Sequence, residues 1–145
     1  MCFDIFLFFE SVFLFMKRRK SRENAFILIF ESFFSEFTAQ KLIDFAETEQ
    51  GIKLSDYSKI LVFGVLENRE NLDEKIASYL KNWDIKRISK ILISILEISF
   101  YEILYVEDVD FPVSINEAVE LAKKYFGDDG PSFVNGVLGN FVKNI

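Results

Sequence analysis

The stretch from Pro112 to Leu138, PVSINEAVELAKKYFGDDGPSFVNGVL, constrains the fold more than any other part of the chain. Ser114, followed three positions later by Glu117, predicts a capping box, in which each side chain satisfies a backbone N–H that the helix leaves free. Gly127 suits the left-handed position after that helix. Pro131 suits the first turn of a second helix, because its fixed φ and missing N–H are tolerated there. The stretch therefore predicts two consecutive, packed helices.

The rest of the chain also follows helical patterns. It contains two prolines and no alternating Val/Thr-rich run, which argues for an all-α fold. At 145 residues it is long enough for one well-filled domain. We predict a single-domain bundle of about seven helices in two packed halves that meet near Asn68 to Asn71. The predicted helices are a central buried helix over 23–37, helices capped by Thr38, by Ser55 and by Asn71 with Glu74, a long helix over about 85–105, and the two described above.

Composition excludes several classes of function. The chain has one cysteine, Cys2, and no histidine, so it forms no disulfide framework and no Cys/His metal site by itself. The missing histidine also removes the commonest acid–base catalyst at neutral pH. The net charge is −6, so a nucleic-acid site must be a local basic patch. The lack of cystines fits the cytoplasm.

Residues 1–15, MCFDIFLFFESVFLF, form an apolar and aromatic segment that the rest of the chain does not resemble. We interpret them as a non-native or upstream-translated extension, with Met16 as the natural start and residues 16–145 as the functional domain. A membrane anchor is the alternative. Fifteen residues are short for a span that needs about 20, and Asp4 and Glu10 interrupt the apolar run.

Residues 17–22, KRRKSR, hold five of the 17 basic side chains. In an acidic protein such a cluster is either a solvated segment or an electrostatic footprint for phosphates.

Four blocks in this order resemble the NusB family of bacterial transcription antitermination factors. They are RKSRENAFILIF at 19–30, WDIKRISKILISILEISFYE at 83–102, PVSINEAVELAKKYFG at 112–127 and FVNGVL at 133–138. The resemblance implies an all-α RNA-binding protein with no cofactor, no metal and no enzymatic activity. Such proteins bind boxA-type single-stranded RNA of nascent ribosomal transcripts together with the ribosomal protein NusE, and the pair helps RNA polymerase pass terminators. Some members are monomers and others are homodimers.

The resemblance also implies roles for individual residues. It places RNA contacts on the basic segment and near the start of the last helix, and a contact with NusE near one tyrosine. Phe133 could equally be a core residue, and Tyr79 could equally be structural. We interpret Trp83, Tyr101 and Asn135 as structural residues, and Gly136 as one that lets two helices approach closely. The proposed RNA-binding residues are Lys17, Arg18, Arg19, Lys20, Arg22, Phe133 and Asp129, and the proposed protein-binding residue is Tyr79.

The chain departs from the family pattern in ways that change the expected site. Ser132 stands where a basic residue is common, so we expect the basic segment to carry more of the phosphate binding. We therefore predict that neutralising Arg18, Arg19 and Arg22 weakens RNA binding more than Phe133→Ala does. We also expect an altered contact with NusE near the long helix. The other departures are Phe30 for tyrosine, Leu92-Ile93 for an acidic–basic pair, Glu97 for arginine and Gly139 for aspartate.

Two other functions remain open from the sequence. The first is the NusB-like accessory domain of a ribosomal RNA cytosine methyltransferase, although no glycine-rich cofactor motif is visible. The second is a helical protein-binding module tethered to a membrane by residues 1–15, with the basic segment against anionic lipid. Cell fractionation distinguishes the second from the RNA-binding hypothesis.

Overall fold

The structure is a computed structural model that describes residues 2–145, except the side chains of residues 2, 3 and 15. Met1 and the Cys2 thiol therefore lie outside the described residues. Within that part of the chain there are six α-helices, two short 3₁₀ helices and no strand, which confirms the all-α prediction. The α-helices are α1 (Cys2–Glu31), α2 (Ala39–Thr48), α3 (Asp56–Ser78), α4 (Lys90–Tyr105), α5 (Phe111–Tyr125) and α6 (Gly130–Lys143), and the 3₁₀ helices are Ser32–Phe34 and Ile85–Arg87.

The centre of the bundle is α4, and the expectation that helix 23–37 would be central is wrong. Every residue from Leu92 to Phe100 is buried, because α4 packs against α1, α3, α5 and α6. The second half of the first helix is largely buried too, since no residue from 21 to 31 is exposed, but the helix ends at Glu31 and lies beside α4. It also begins far earlier than predicted, so the apolar segment and the basic segment belong to one continuous helix.

Several of the predicted helix ends are confirmed. The Thr38 hydroxyl accepts a hydrogen bond from the Lys41 N–H at 3.2 Å, and Ser55 accepts one from the Ser58 N–H at 3.1 Å. Each bond satisfies a donor that the first helical turn leaves without a partner. Gly127 has φ +116° after α5, and Pro131 lies in the first turn of α6.

The predicted capping box is wrong, because α5 begins at Phe111, four residues earlier than a cap at Ser114 would place it, with proline in its first turn. Ser114 therefore lies inside the helix and is buried, and its hydroxyl donates to the Glu102 carboxylate at 2.9 Å. Glu117 binds Arg19 instead of a backbone N–H. Both side chains have found tertiary partners that the local pattern could not show.

The predicted helix start at Asn71 is also wrong, because α3 continues through it to Ser78. Leu72 is fully buried at that point, so tertiary packing holds the helix together. The Asn71 amide instead donates to the Tyr105 hydroxyl at 3.3 Å.

The close approach expected at Gly136 occurs at another glycine. A Cβ added at Gly136 would meet no atom within 4 Å, so the expectation is wrong. A Cβ at Gly64 would lie 2.1 Å from Cζ of Tyr101. The absence of a side chain at Gly64 thus makes room for the Tyr101 ring between α3 and α4, and the packing role predicted for Tyr101 agrees with this contact.

No helix within residues 2–145 combines the length and the apolar content needed to cross a membrane.

Candidate nucleic-acid interface

The basic arm, residues 17–22, lies in the middle of α1, and its last member points into the protein. Arg22 is 3% exposed, and its Nε donates to Oε2 of Glu102 at 2.8 Å. The buried Glu102 carboxylate also accepts hydrogen bonds from the hydroxyls of Tyr57 and Ser114. The Arg22 guanidinium is therefore engaged inside the bundle, where it joins α1 to α4, and a phosphate in solvent cannot reach it.

Arg18 and Arg19 also bind acidic side chains of later elements. Arg18 Nη2 lies 2.8 Å from Oδ2 of Asp108, and the hydrogen bond lowers the pKa of that carboxyl. The Arg18 guanidinium also lies over the Tyr57 ring, 4.5 Å from its centroid. Arg19 Nη2 lies 3.0 Å from Oε1 of the nearly buried Glu117, and this hydrogen bond raises the pKa of Arg19. Both arginines thus fasten α1 to residues that precede or belong to α5.

Lys20 lies on the exposed side of the arm and shares one carboxylate with a lysine of α5. Glu23 accepts from Lys20 Nζ at 3.2 Å and from Lys124 Nζ at 2.8 Å. Partial burial raises the pKa of Glu23, but the hydrogen bonds from Lys124 and Lys20 outweigh it and the net shift is downward. Lys17 is exposed and has no salt bridge among the described residues. Acidic partners therefore neutralise most of the charge that the sequence assigns to this arm.

Phe133 and Asp129 lie together at the start of α6, on a groove of about 580 Å³. Phe133 is half-buried and Asp129 is exposed. Trp83 and Phe126 line the same groove, and sequence reasoning did not assign either of them to a site. Trp83 was expected to pack inside, and that is wrong, because 64% of it is exposed. We call this feature the aromatic groove, defined by Trp83, Phe126 and Phe133.

The position of Trp83 follows from the turn after α3. Lys81 adopts the left-handed conformation with φ 55°, and the Trp83 N–H donates to the Leu80 carbonyl at 3.0 Å. The chain therefore reverses direction before the second 3₁₀ helix and carries the indole to the surface. The available sequence signal was a tryptophan next to Asn82 and Asp84, two residues typical of turns.

Tyr79 occupies a position between core and surface. Its ring lies 5.4 Å from that of Phe141 and 6.3 Å from that of Phe100, both fully buried. It also lines a shallow groove together with Trp83 and Gly136. The geometry gives Tyr79 a structural contact and leaves one edge available to a partner.

The family departures in α4 lie inside the protein. Leu92, Ile93 and Glu97 are 6%, 1% and 0% exposed, so none of them can make an extended contact with a protein partner. Glu97 is paired with Arg69 of α3, whose Nε lies 2.9 Å from Oε2. Burial raises the pKa of Glu97 to about 8, although Arg69 opposes the shift. The nearby Asp73 carboxylate has one buried oxygen with no hydrogen-bond partner among the described residues.

Comparison with known proteins identifies the family. The family model described as NusB family matches residues 19–143. The chain belongs to the NusB family. The transcription antitermination protein NusB of Clostridium novyi is 47% identical over 132 residues, which cover 88% of this chain and 99% of the relative. The resemblance seen in the four sequence blocks is therefore confirmed.

Solved structures agree with the fold. NusB of T. maritima superposes with a TM-score of 0.75 at 29% identity, covering 87% of this chain and 90% of that one. A chain in a crystal structure of the antitermination factors NusB and NusE with double-stranded RNA superposes with a TM-score of 0.77 at 24% identity. The match covers 88% of this chain and 97% of that one. At that identity the second likeness supports the fold alone.

Proposed function

We propose that this chain is a non-enzymatic transcription antitermination factor of the cytoplasm. It binds boxA-type RNA of nascent ribosomal transcripts together with NusE, and the pair helps RNA polymerase read through terminators. Membership of the NusB family over residues 19–143 carries this proposal, because the similar relatives are named as transcription antitermination proteins. The solved complex of NusB and NusE with RNA has the same fold, and we propose the same kinds of partner here.

The surface that fits RNA runs from the basic arm to the start of α6. Lys20 on α1 and Lys124 on α5 share the Glu23 carboxylate, and Phe126 follows two residues after Lys124. Phe126 in turn lines the same groove as Phe133. Cations and aromatic rings therefore lie along one side of the α1–α5–α6 corner, which suits a strand whose phosphates bind cations while its bases stack.

The net charge requires this local arrangement. A chain of net charge −6 repels RNA at a distance, so productive contact depends on the few cations that acidic side chains leave available. Single-stranded RNA binding then weakens with salt by about 0.7 log units per log unit of salt for each phosphate held.

Fluorescence anisotropy with a labelled boxA-like RNA tests the proposal. We expect tighter binding to this RNA than to a scrambled RNA of the same composition, and tighter binding still when NusE is present. Equal affinity for the two RNAs, both with and without NusE, would contradict the proposed function.

A second candidate function rests on the first half of α1. Its large apolar side chains are exposed to solvent: Phe6 is 60% exposed, Phe9 65% and Phe13 70%. These exposed rings favour, as an alternative function, a protein-binding module that is tethered to a membrane. If the protein has this function, it should pellet with the membranes of fractionated cells and remain in the pellet at high salt.

A further inference from the structure

The first half of α1 carries large apolar side chains that nothing in the described part of the chain covers. Every residue from 4 to 14 is exposed, whereas no residue from 21 to 31 is. The family model matches residues 19–143, so this half of the helix lies outside the region that the chain shares with its family. It is therefore a feature of this chain that RNA and NusE binding do not explain.

The polar and apolar residues of this half lie on different sides of the helix. At about 100° per residue, Asp4, Glu10 and Ser11 fall within an arc of about 120°. That side turns toward the domain, because Ser11 lines a groove together with Val109 and Val113. The opposite arc, also of about 120°, holds six large apolar side chains and no charged one. We call it the apolar face, and its residues are Ile5, Phe6, Phe9, Val12, Phe13 and Met16.

The apolar face is larger than a monomer usually leaves in water. Its six side chains are 39–70% exposed. At roughly 150–250 Å² per large side chain, they offer on the order of 650 Å² per copy. The largest apolar patch on a typical monomer is about 300–600 Å². Two copies that cover each other would bury about 1,300 Å² in total, within the range of about 1,200–2,000 Å² for a specific interface.

The spacing of the apolar face suits a second helix of the same kind. Ile5, Phe9, Val12 and Met16 follow one another at steps of four, three and four residues, which is the spacing of a coiled-coil seam. In such a seam each side chain inserts between side chains of the facing helix, so the face is complementary to a copy of itself. The second half of α1 is already packed in the domain and extends the helix to this segment. Pairing therefore needs no costly helix nucleation.

Charge argues against a lipid bilayer as the occupant. The charged side chains between Met1 and Met16 are Asp4 and Glu10, and both are acidic. Helices that lie on membranes carry Lys and Arg on their polar side instead. Arg18 and Arg19, which follow the segment, already bind carboxylates at 2.8–3.0 Å and have less to offer to anionic headgroups.

The domain sets the direction of the pairing. Other helices surround α1 from Ser21 onward, since no residue from 21 to 31 is exposed. In a parallel pair, the surrounding helices of both copies would meet between the two α1 helices and prevent their approach to about 8–10 Å. An antiparallel pair keeps the two domains at opposite ends. It also brings Glu10 of each copy toward Lys17 of the other, and Lys17 is exposed with no salt bridge among the described residues.

We propose that two copies of this chain associate through the apolar face, with their α1 helices antiparallel. This inference goes beyond the proposed function and depends on neither RNA nor NusE. The interface would join the protein to a second copy of itself through residues that precede the family region.

Light scattering coupled to size exclusion tests the inference on the full chain. The wild type should have twice the chain mass of 17.0 kDa at micromolar concentrations. Phe9→Asp places a carboxylate in the middle of the apolar face, so it should weaken association by about 10-fold or more and give a monomer. Leu7→Asp is the matched control, because Leu7 is 47% exposed but lies on the opposite side of the helix, and this variant should stay dimeric. Circular dichroism verifies the helix in each variant.

The direction of the pairing has its own measurement. Cys2 is the only cysteine of the chain and stands at the start of α1. The two helix starts lie about 25 Å apart in an antiparallel pair, far beyond the Cα separation of about 7 Å that a disulfide tolerates. Mild oxidation of the dimer should therefore leave it uncrosslinked, and a rapid Cys2–Cys2 crosslink would overturn the antiparallel arrangement.

The remaining outcomes decide the occupant. A wild type that is monomeric throughout the concentration range, or a Phe9→Asp variant that stays as dimeric as Leu7→Asp, overturns the proposed interface. Flotation with vesicles of phosphatidylglycerol and phosphatidylcholine supplies the opposing test. A protein that is monomeric without vesicles and floats with them has lipid as its occupant, which also overturns the pairing.

Discussion

Two surfaces of the molecule carry positive charge, and they differ in what each charge already binds. In the basic arm, Arg18, Arg19, Lys20 and Arg22 each bind a carboxylate at 2.8–3.2 Å. Beside the aromatic groove, Lys86 and Arg87 bind none among the described residues. The arm has the denser charge in the sequence, but its cations are mostly paired, whereas Lys86 and Arg87 form no ion pair within the described residues.

The difference shows that a run of cations can be a structural device. Glu102, Glu117 and Asp108 lie about eighty to a hundred residues after the arm in the sequence, and each fixes one arginine of α1. The arm thereby holds α1 against α4 and α5. A guanidinium gives up favourable contacts when it turns to a phosphate, so an engaged cation contributes less to RNA affinity than an unpaired one.

The largest expected effect is on folding, from Arg22→Ala. The substitution leaves the Glu102 carboxylate, 1% exposed, without its charged partner. Removing one member of a buried pair costs about 3–5 kcal/mol, because the remaining charge stays buried. Urea unfolding followed by circular dichroism measures the loss, which is large against a total stability of about 5–15 kcal/mol.

Lys20→Ala is the control for that experiment. The Lys20 side chain is 69% exposed and pairs with Glu23 at 3.2 Å, so its removal should cost less than about 1 kcal/mol. Equal losses for the two variants would show that Arg22 contributes no more than a surface charge.

The next effect is on RNA affinity, from the combined change Lys86→Ala and Arg87→Ala, which removes two exposed cations that form no salt bridge among the described residues. Each phosphate contact contributes about 0.7 to the slope of log affinity against log salt, so two lost contacts lower the slope by about 1.4. At 0.1 M salt this corresponds to about 25-fold weaker binding. Anisotropy titrations at several salt concentrations measure both quantities.

The comparison with the arm sharpens this test. Arg18→Ala with Arg19→Ala should weaken RNA binding less than Lys86→Ala with Arg87→Ala does, because Arg18 and Arg19 are already paired. The sequence alone led to the opposite emphasis, in which neutralising Arg18, Arg19 and Arg22 outweighs Phe133→Ala. If the arm variants show the larger loss of affinity and of salt slope, RNA competes successfully with the carboxylates and the groove is secondary.

A smaller effect concerns pH and the second buried ion pair. Burial raises the pKa of Glu97 to about 8, above the value of about 4.3 that an unfolded chain gives it. The folded state therefore holds a proton that the unfolded state releases, so the contribution of Glu97 to stability is present below about pH 4 and is lost as pH rises to 8. Glu97→Gln should flatten this dependence and raise stability at pH 8.5, by on the order of 1–2 kcal/mol.

Urea unfolding at pH 5.5 and pH 8.5 measures the effect, and Glu74→Gln on the exposed side of α3 is the control. Arg69 opposes the shift at Glu97, and burial also raises the pKa of Asp73, so some slope will remain in the variant. A wild-type protein that gains stability between pH 5.5 and 8.5, with Glu97→Gln following the same curve, would show that Glu97 is ionised in its pocket.

Local patterns predicted the features of the fold that depend on neighbouring residues. Helical periodicity predicted the all-α class. The caps at Thr38 and Ser55 and the left-handed Gly127 lie at the helix ends where the sequence predicted them. The same chemistry failed at Ser114 and Asn71, because burial against α4 gave those side chains other partners. Capping motifs predict a helix end only when no tertiary contact competes for the same atoms.

The candidate site was predictable only in part, for a related reason. The sequence drew attention to the basic segment and to Phe133, but it could not show that distant carboxylates hold most of that segment. Nor could it show that a left-handed Lys81 turns Trp83 outward. Charge can be counted along a chain, whereas its availability depends on three-dimensional partners.

The smallest effect concerns the face of α6 beside the groove. Gly136 is exposed in the helix interior, and a Cβ there would meet no atom within 4 Å, so Gly136→Ala should raise stability by about 0.5–1 kcal/mol through helix propensity. Gly64→Ala, in which the new methyl group collides with the Tyr101 ring, should lower the stability.

Gly136 also lines the shallow groove that holds Tyr79, so calorimetry of NusE binding to Gly136→Ala tests whether this groove contacts NusE or RNA. If NusE docks on Tyr79 through a close helix contact, the methyl group added at Gly136 should weaken NusE binding and leave RNA affinity unchanged. Loss of RNA affinity instead would extend the RNA surface past Trp83 to this face.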